Sequence, residues 1–65
     1  MLKEKVKQFI KIGISLKSIA LHSGVHYTTL SKWINDEREM NFSNQEKIDN
    51  GLKDIVNEIL NIFNS

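Results

Sequence analysis

The chain reads as an all-α protein: a compact bundle of four helices, or five if the last one divides, with a central helix-turn-helix and a long C-terminal helix. Three observations point there. Proline is absent, and no stretch alternates β-branched with polar residues over a strand's length, so nothing favours a sheet. Apolar residues instead recur three and four apart. Hydroxyl residues and glycines also fall where short helices must start and stop, at Gly13, Ser15, Gly24 and Ser43.

The first helix is expected from about Leu2 to Ile12, because Leu2, Val6, Phe9 and Ile10 recur at helical spacing while the lysines between them face outward. Gly13 closes it. Ser15 then offers a side-chain oxygen to the free N–H groups of a second helix, Leu16 to about Ser23. Ile14 and Leu16 flank that cap and anchor the link in the core. Gly24 supplies a left-handed exit without a Cβ penalty, and a third helix starts near Tyr27 after a link too short to hold the two helices parallel. Ile19, Ala20, Val25, Leu30, Trp33 and Ile34 converge inside this angle, which assigns Trp33 to the core. On the opposite side of the third helix lie Thr28, Ser31, Lys32 and Asn35, with Tyr27 flanking them.

A charged loop follows at Asn35-Asp36-Glu37-Arg38-Glu39, in which Asn35 or Asp36 takes the left-handed position. Ser43 to Glu46 then spells a capping box, predicting a final helix from Asn44 to about Phe63. Its seam runs through Ile48, Leu52, Ile55, Ile59 and Ile62, joined by Val56, Leu60 and Phe63. Such a helix is roughly 30 Å long, about the diameter of the whole domain. Ile48, Leu52, Ile55 and Val56 have a core to cover. Ile59, Leu60, Ile62 and Phe63 must either fold over the first helix or meet a second copy of the chain, and the dimer is the expectation. Gly51 weakens this helix by about 1 kcal/mol and marks the place for a kink or break.

Sixty-five residues make one domain, 1–65, with a core too small for a separate catalytic cleft, so a binding module is expected rather than an enzyme. No cysteine is present, which removes disulfides and thiolate metal sites. Nothing resembles a signal peptide or a membrane-spanning run, and a cytoplasmic location is expected. His22 and His26 are four apart, but Gly24 breaks their common face, so no metal and no cofactor is expected. His22 is read as exposed on the second helix. Histidine is a poor N-cap, which makes His26 a candidate contact residue instead.

The net charge of +1 conceals a division along the chain. Residues 1–35 carry six lysines against Glu4 alone, giving +5, and residues 36–65 carry three cations against seven carboxylates, giving −4. Polarity of this kind is expected where one end faces a polyanion.

Ile19-Ala20, Gly24-Val25, Leu30 and Trp33-Ile34-Asn35, in this order and spacing, resemble the helix-turn-helix of the Cro/repressor-type (XRE-like) DNA-binding regulators of phages and bacteria. The resemblance is tight over residues 15–35 and loose elsewhere. It implies a sequence-specific transcriptional regulator, bound to double-stranded DNA as a homodimer, with the third helix in the major groove. Carried over to matching positions, it implies base contacts from Tyr27, Thr28, Ser31 and Lys32, with His26 and Asn35 at the edges. Phosphate contacts would come from Ser15, Lys17, Thr29 and Arg38. The chain departs from the family in the loop after the third helix, where relatives commonly carry Asn-Gly and basic residues; here three carboxylates leave Arg38 as the one cation. That departure keeps a second expectation open, a small phage-type inhibitor or antirepressor that binds a host protein through a helix-turn-helix scaffold. A DNA-bending accessory protein would need a β-wing, and the pattern after residue 35 offers none.

Overall fold

Four helices and no strand make up the fold in the computed structural model, which describes all residues from Met1 to Ser65. They are α1 (Leu2–Lys11), α2 (Leu16–Ser23), α3 (Tyr27–Ile34) and α4 (Phe42–Phe63). The first three boundaries follow from local chemistry. Ser15 has an extended backbone and its hydroxyl accepts the Ser18 N–H at 3.1 Å, which caps α2. Gly24, at φ 73°, ends α2 in the left-handed region while its N–H returns to Ala20 O at 2.9 Å. Asp36, at φ 61°, takes the left-handed position after α3.

Each helix contributes one side chain with no exposed surface: Val6, Ile19, Leu30 and Ile48. Ala20, Val25, Trp33, Met40, Leu52 and Ile55 complete the core, and Leu2, Phe9, Ile14, Leu16 and Ile34 cover its edges. Burying a side chain of this size contributes about 1.5–3 kcal/mol, so every helix is tied to the core by at least one such residue. α4 packs along α2 and touches α1, while α3 leans on α2. The helix-turn-helix is thus held from behind by the long helix.

The last helix differs from expectation in three respects. It begins at Phe42, two residues earlier than the Ser43 capping box implies, because Asn41 is the N-cap: its side-chain oxygen accepts the Asn44 N–H at 2.7 Å. Gln45, rather than Glu46, reaches back, its Nε2 donating to Met40 O at 2.8 Å. The burial of Met40 sets this register, since the chain must leave the core and enter the helix within two residues.

Second, Gly51 does not break α4, which continues through it as one helix of 22 residues. Gly51 is buried, and a β-carbon there would stand 2.8 Å from Ser23 Cα. The glycine is where α4 lies against the C-terminal end of α2. Third, Val56 is 41% exposed instead of covering core. α4 spans about 33 Å in a body only 22 by 20 Å across its shorter axes, so its end overhangs. Ile59, Leu60, Ile62 and Phe63 do not fold back over α1; all are exposed, Phe63 by 85%. No helix is long and apolar enough to cross a membrane.

Candidate nucleic-acid interface

The site is built from α3 outward. Leu30 and Trp33 are buried and fix the rotation of the helix about its own axis. That rotation leaves Tyr27, Thr28, Lys32 and Asn35 exposed, with Thr29 and Ser31 half-buried at the margins. Tyr27 is 45% exposed, so a large part of its side chain meets solvent. His26 occupies the N-cap position of α3 without making a side-chain cap bond, and its imidazole is exposed. The N–H groups of the first turn of α3 therefore have no side-chain partner from His26 and carry the positive end of the helix dipole.

Lys17 of α2 and His26, the N-cap of α3, line one shallow hollow with Leu21, Ala20, Gly24 and Val25. The fold thus gathers a predicted phosphate contact and a predicted base contact around the turn. Lys17, Lys32 and Arg38 take part in no ion pair, which leaves their charges available to an outside anion. Ser15 is differently placed: its hydroxyl already accepts from the Ser18 N–H and donates to Ser18 Oγ, both at 3.1 Å. Arg38 borders a second hollow with Lys3, Asp36, Glu37 and Glu39, where the carboxylates offset its field.

Two features of the charge distribution are invisible in the linear count. Lys3 Nζ lies 2.7 Å from Asp36 Oδ1 and 5.2 Å from the centre of the Trp33 ring, so it stacks on the anchor of α3 while neutralising the first loop carboxylate. The hydrogen bond from Lys3, with its charge and that of Lys7 beyond, holds the Asp36 carboxyl below the usual aspartate range. Lys5 also faces Asp49, at 3.8 Å. The +5 and −4 halves of the chain are therefore partly folded onto each other. Of the three loop carboxylates, only Glu37 and Glu39 remain uncompensated.

One residue near the site escapes a reading by sequence, and one departs from its expected exposed position. Leu21 is 82% exposed beside Lys17, an apolar group on the outer wall of α2; the signal was its position opposite Ile19 and Ala20 on the helical wheel. His22 is not free on the surface: its ring is half-buried between Asp54 and Glu58 of α4. Comparison with family models, with characterised proteins and with solved structures returns no match.

Proposed function

We propose that this protein is a sequence-specific duplex-DNA-binding regulator of transcription, of the Cro/repressor type, which reads the major groove with α3 and acts as a homodimer in the cytoplasm. The observation that carries the reading is the two-sidedness of α3. Leu30 and Trp33 lock one face into the core, and the other presents Tyr27, Thr28, Lys32 and Asn35, polar and uncovered. A helix of that kind, packed against α2 on its inner side, has the width and chemistry to enter a major groove. Lys32 donates to guanine O6 or N7, and the Thr28 methyl and Tyr27 ring meet a thymine methyl. Lys17, Thr29 and the N-terminal end of α2 set the register on phosphates. One such module makes few base contacts, so useful affinity calls for two, on half-sites about 34 Å apart. The bare apolar end of α4 is the surface that would join them.

A second reading, a small inhibitor that binds a host protein, draws support from the uncompensated Glu37 and Glu39 and the exposed Leu21. The two carboxylates repel phosphate, and together with an apolar side chain they suit a protein surface. One titration separates the two: binding to random duplex DNA and to DNA from upstream of the protein's own coding sequence, over a range of salt concentrations. The regulator is expected to show steep salt dependence and a preference of about 10³-fold or more for its site. Absence of binding at low salt removes the regulator and leaves the inhibitor.

A further inference from the structure

On the side of the molecule where α4 crosses α2, both nitrogens of His22 face carboxylates. Nδ1 is 2.7 Å from Asp54 Oδ2 and Nε2 is 3.3 Å from Glu58 Oε2. Asp54 and Glu58 stand one turn apart on α4, so two like charges share one face and their mutual repulsion is relieved only by what lies between them. A neutral imidazole carries one N–H. In the tautomer with that hydrogen on Nδ1, where the contact has hydrogen-bond length, the Nε2 lone pair is directed at a carboxylate oxygen. Two electron-rich atoms held so close call for a proton or a metal ion between them.

The spacing is compatible with a bound metal ion. In a tetrahedral zinc site with bonds of about 2.0–2.1 Å, neighbouring ligand atoms are separated by about 3.3–3.4 Å. That is the distance between His22 Nε2 and Glu58 Oε2, 3.3 Å. The Nδ1–H bond to Asp54 supplies the other half of the pattern, a carboxylate that fixes the tautomer and ring orientation of a metal-binding histidine. Ligand atoms from all three side chains lie within 4.8 Å of one another. An imidazole with carboxylates suits zinc or a neighbouring transition ion, whereas calcium and magnesium prefer an all-oxygen shell.

We propose that His22 and Glu58 bind a Zn²⁺ ion across α2 and α4, with Asp54 orienting the imidazole and water completing the coordination. The ion joins the C-terminal end of α2 to the turn of α4 from which the apolar arm projects. The site stands on its own geometry and does not depend on DNA recognition.

Calorimetric titration of the full chain with zinc chloride in chelator-free buffer tests it. One ion per chain is expected, with the thermal midpoint raised by about 6–11 °C when free zinc is about ten times the dissociation constant. Glu58→Gln, exposed and free to fold, and His22→Ala both abolish the heat of binding, and His26→Ala leaves it unchanged. Asp54→Ala weakens binding by about 10–100-fold at the same stoichiometry. No zinc-dependent heat or stabilisation overturns the proposal. So does zinc binding that survives Glu58→Gln or is lost in His26→Ala, as does full affinity in Asp54→Ala or a cluster that answers to pH but not to zinc.

Discussion

Gly51 of α4 faces the backbone of Ser23 at the end of α2 so closely that a β-carbon on Gly51 would stand 2.8 Å from Ser23 Cα and 2.9 Å from Ser23 N. The atoms it would meet include backbone, which cannot swing aside as a flexible side-chain tip can. Helix propensity alone favours Gly51→Ala by about 1 kcal/mol. Overpacking at this crossing opposes it by about 1–3 kcal/mol or more, because the two helices must separate. Net destabilisation is expected, read as a lower urea midpoint than the wild type at unchanged slope. A raised midpoint would show that α2 and α4 are not packed at this distance.

That crossing also marks what sequence alone conveys. Ser15 and Gly24 are legible because a cap or a left-handed exit is settled within four residues of chain, and both stand where expected. Leu30, Trp33 and the outward Lys32 are legible for a related reason, since one helical period fixes them all relative to each other. The packing role of Gly51 is not, because it depends on a distance between two helices. His22 escaped for the same reason, its partners lying on another helix. The charge partition misled because Lys3 and Asp36 are 33 residues apart in sequence and paired in space.

The start of α4 supplies a second test, because two cap candidates stand two residues apart. Asn41 makes the cap bond at 2.7 Å, whereas Ser43 lies inside the first turn. Asn41→Ala is expected to cost about 1 kcal/mol, lowering the thermal midpoint by about 4–8 °C in a domain of this size. Ser43→Ala should change it by much less. Equal effects from the two changes would shift the helix start back towards Ser43.

Asp36 and Lys3 set a pH dependence whose sign follows from the direction of the shift. The folded carboxyl is held below its ordinary value, principally by the hydrogen bond from Lys3 and then by its charge. The pair therefore contributes its stability above the unfolded aspartate value of about 3.9, and the contribution disappears as pH falls through the lower folded value. Carboxyl-carbon NMR titration of Asp36 should give a midpoint below that of an unfolded aspartate. Lys3→Met should return it upward, with little change in stability at neutral pH because the aspartate is exposed. An Asp36 midpoint unchanged by Lys3→Met would separate the two side chains in solution.

Lys32 and Lys17 carry the same charge but different expected roles in the proposed DNA complex. Lys32 projects from the exposed face of α3, and Lys17 lies at the N-terminal end of α2, where phosphates would pass in that complex. Lys32→Ala should narrow the gap between specific and random duplexes by about 1–3 kcal/mol. Lys17→Ala should weaken both alike and reduce the salt slope by about one. Competition binding over several salt concentrations measures both quantities. Identical profiles for the two variants would remove base reading from α3.

The arm of α4 provides the last test, and it separates folding from assembly. Ile62 and Phe63 are 76% and 85% exposed and lie beyond every buried residue of the chain, the last of which is Ile55. Replacing both with lysine therefore removes no core contact, and the unfolding midpoint of the monomer should stay close to its original value. If the arm joins two copies, sedimentation equilibrium should show the wild type moving from monomer to dimer with concentration and the double variant remaining monomeric. Affinity for a two-fold DNA site should then fall steeply, because each module must bind alone, while affinity for a single half-site is retained apart from a general gain from the added charge. A double variant that still dimerises places the partner surface elsewhere, with the exposed Leu21 as the next apolar group to change.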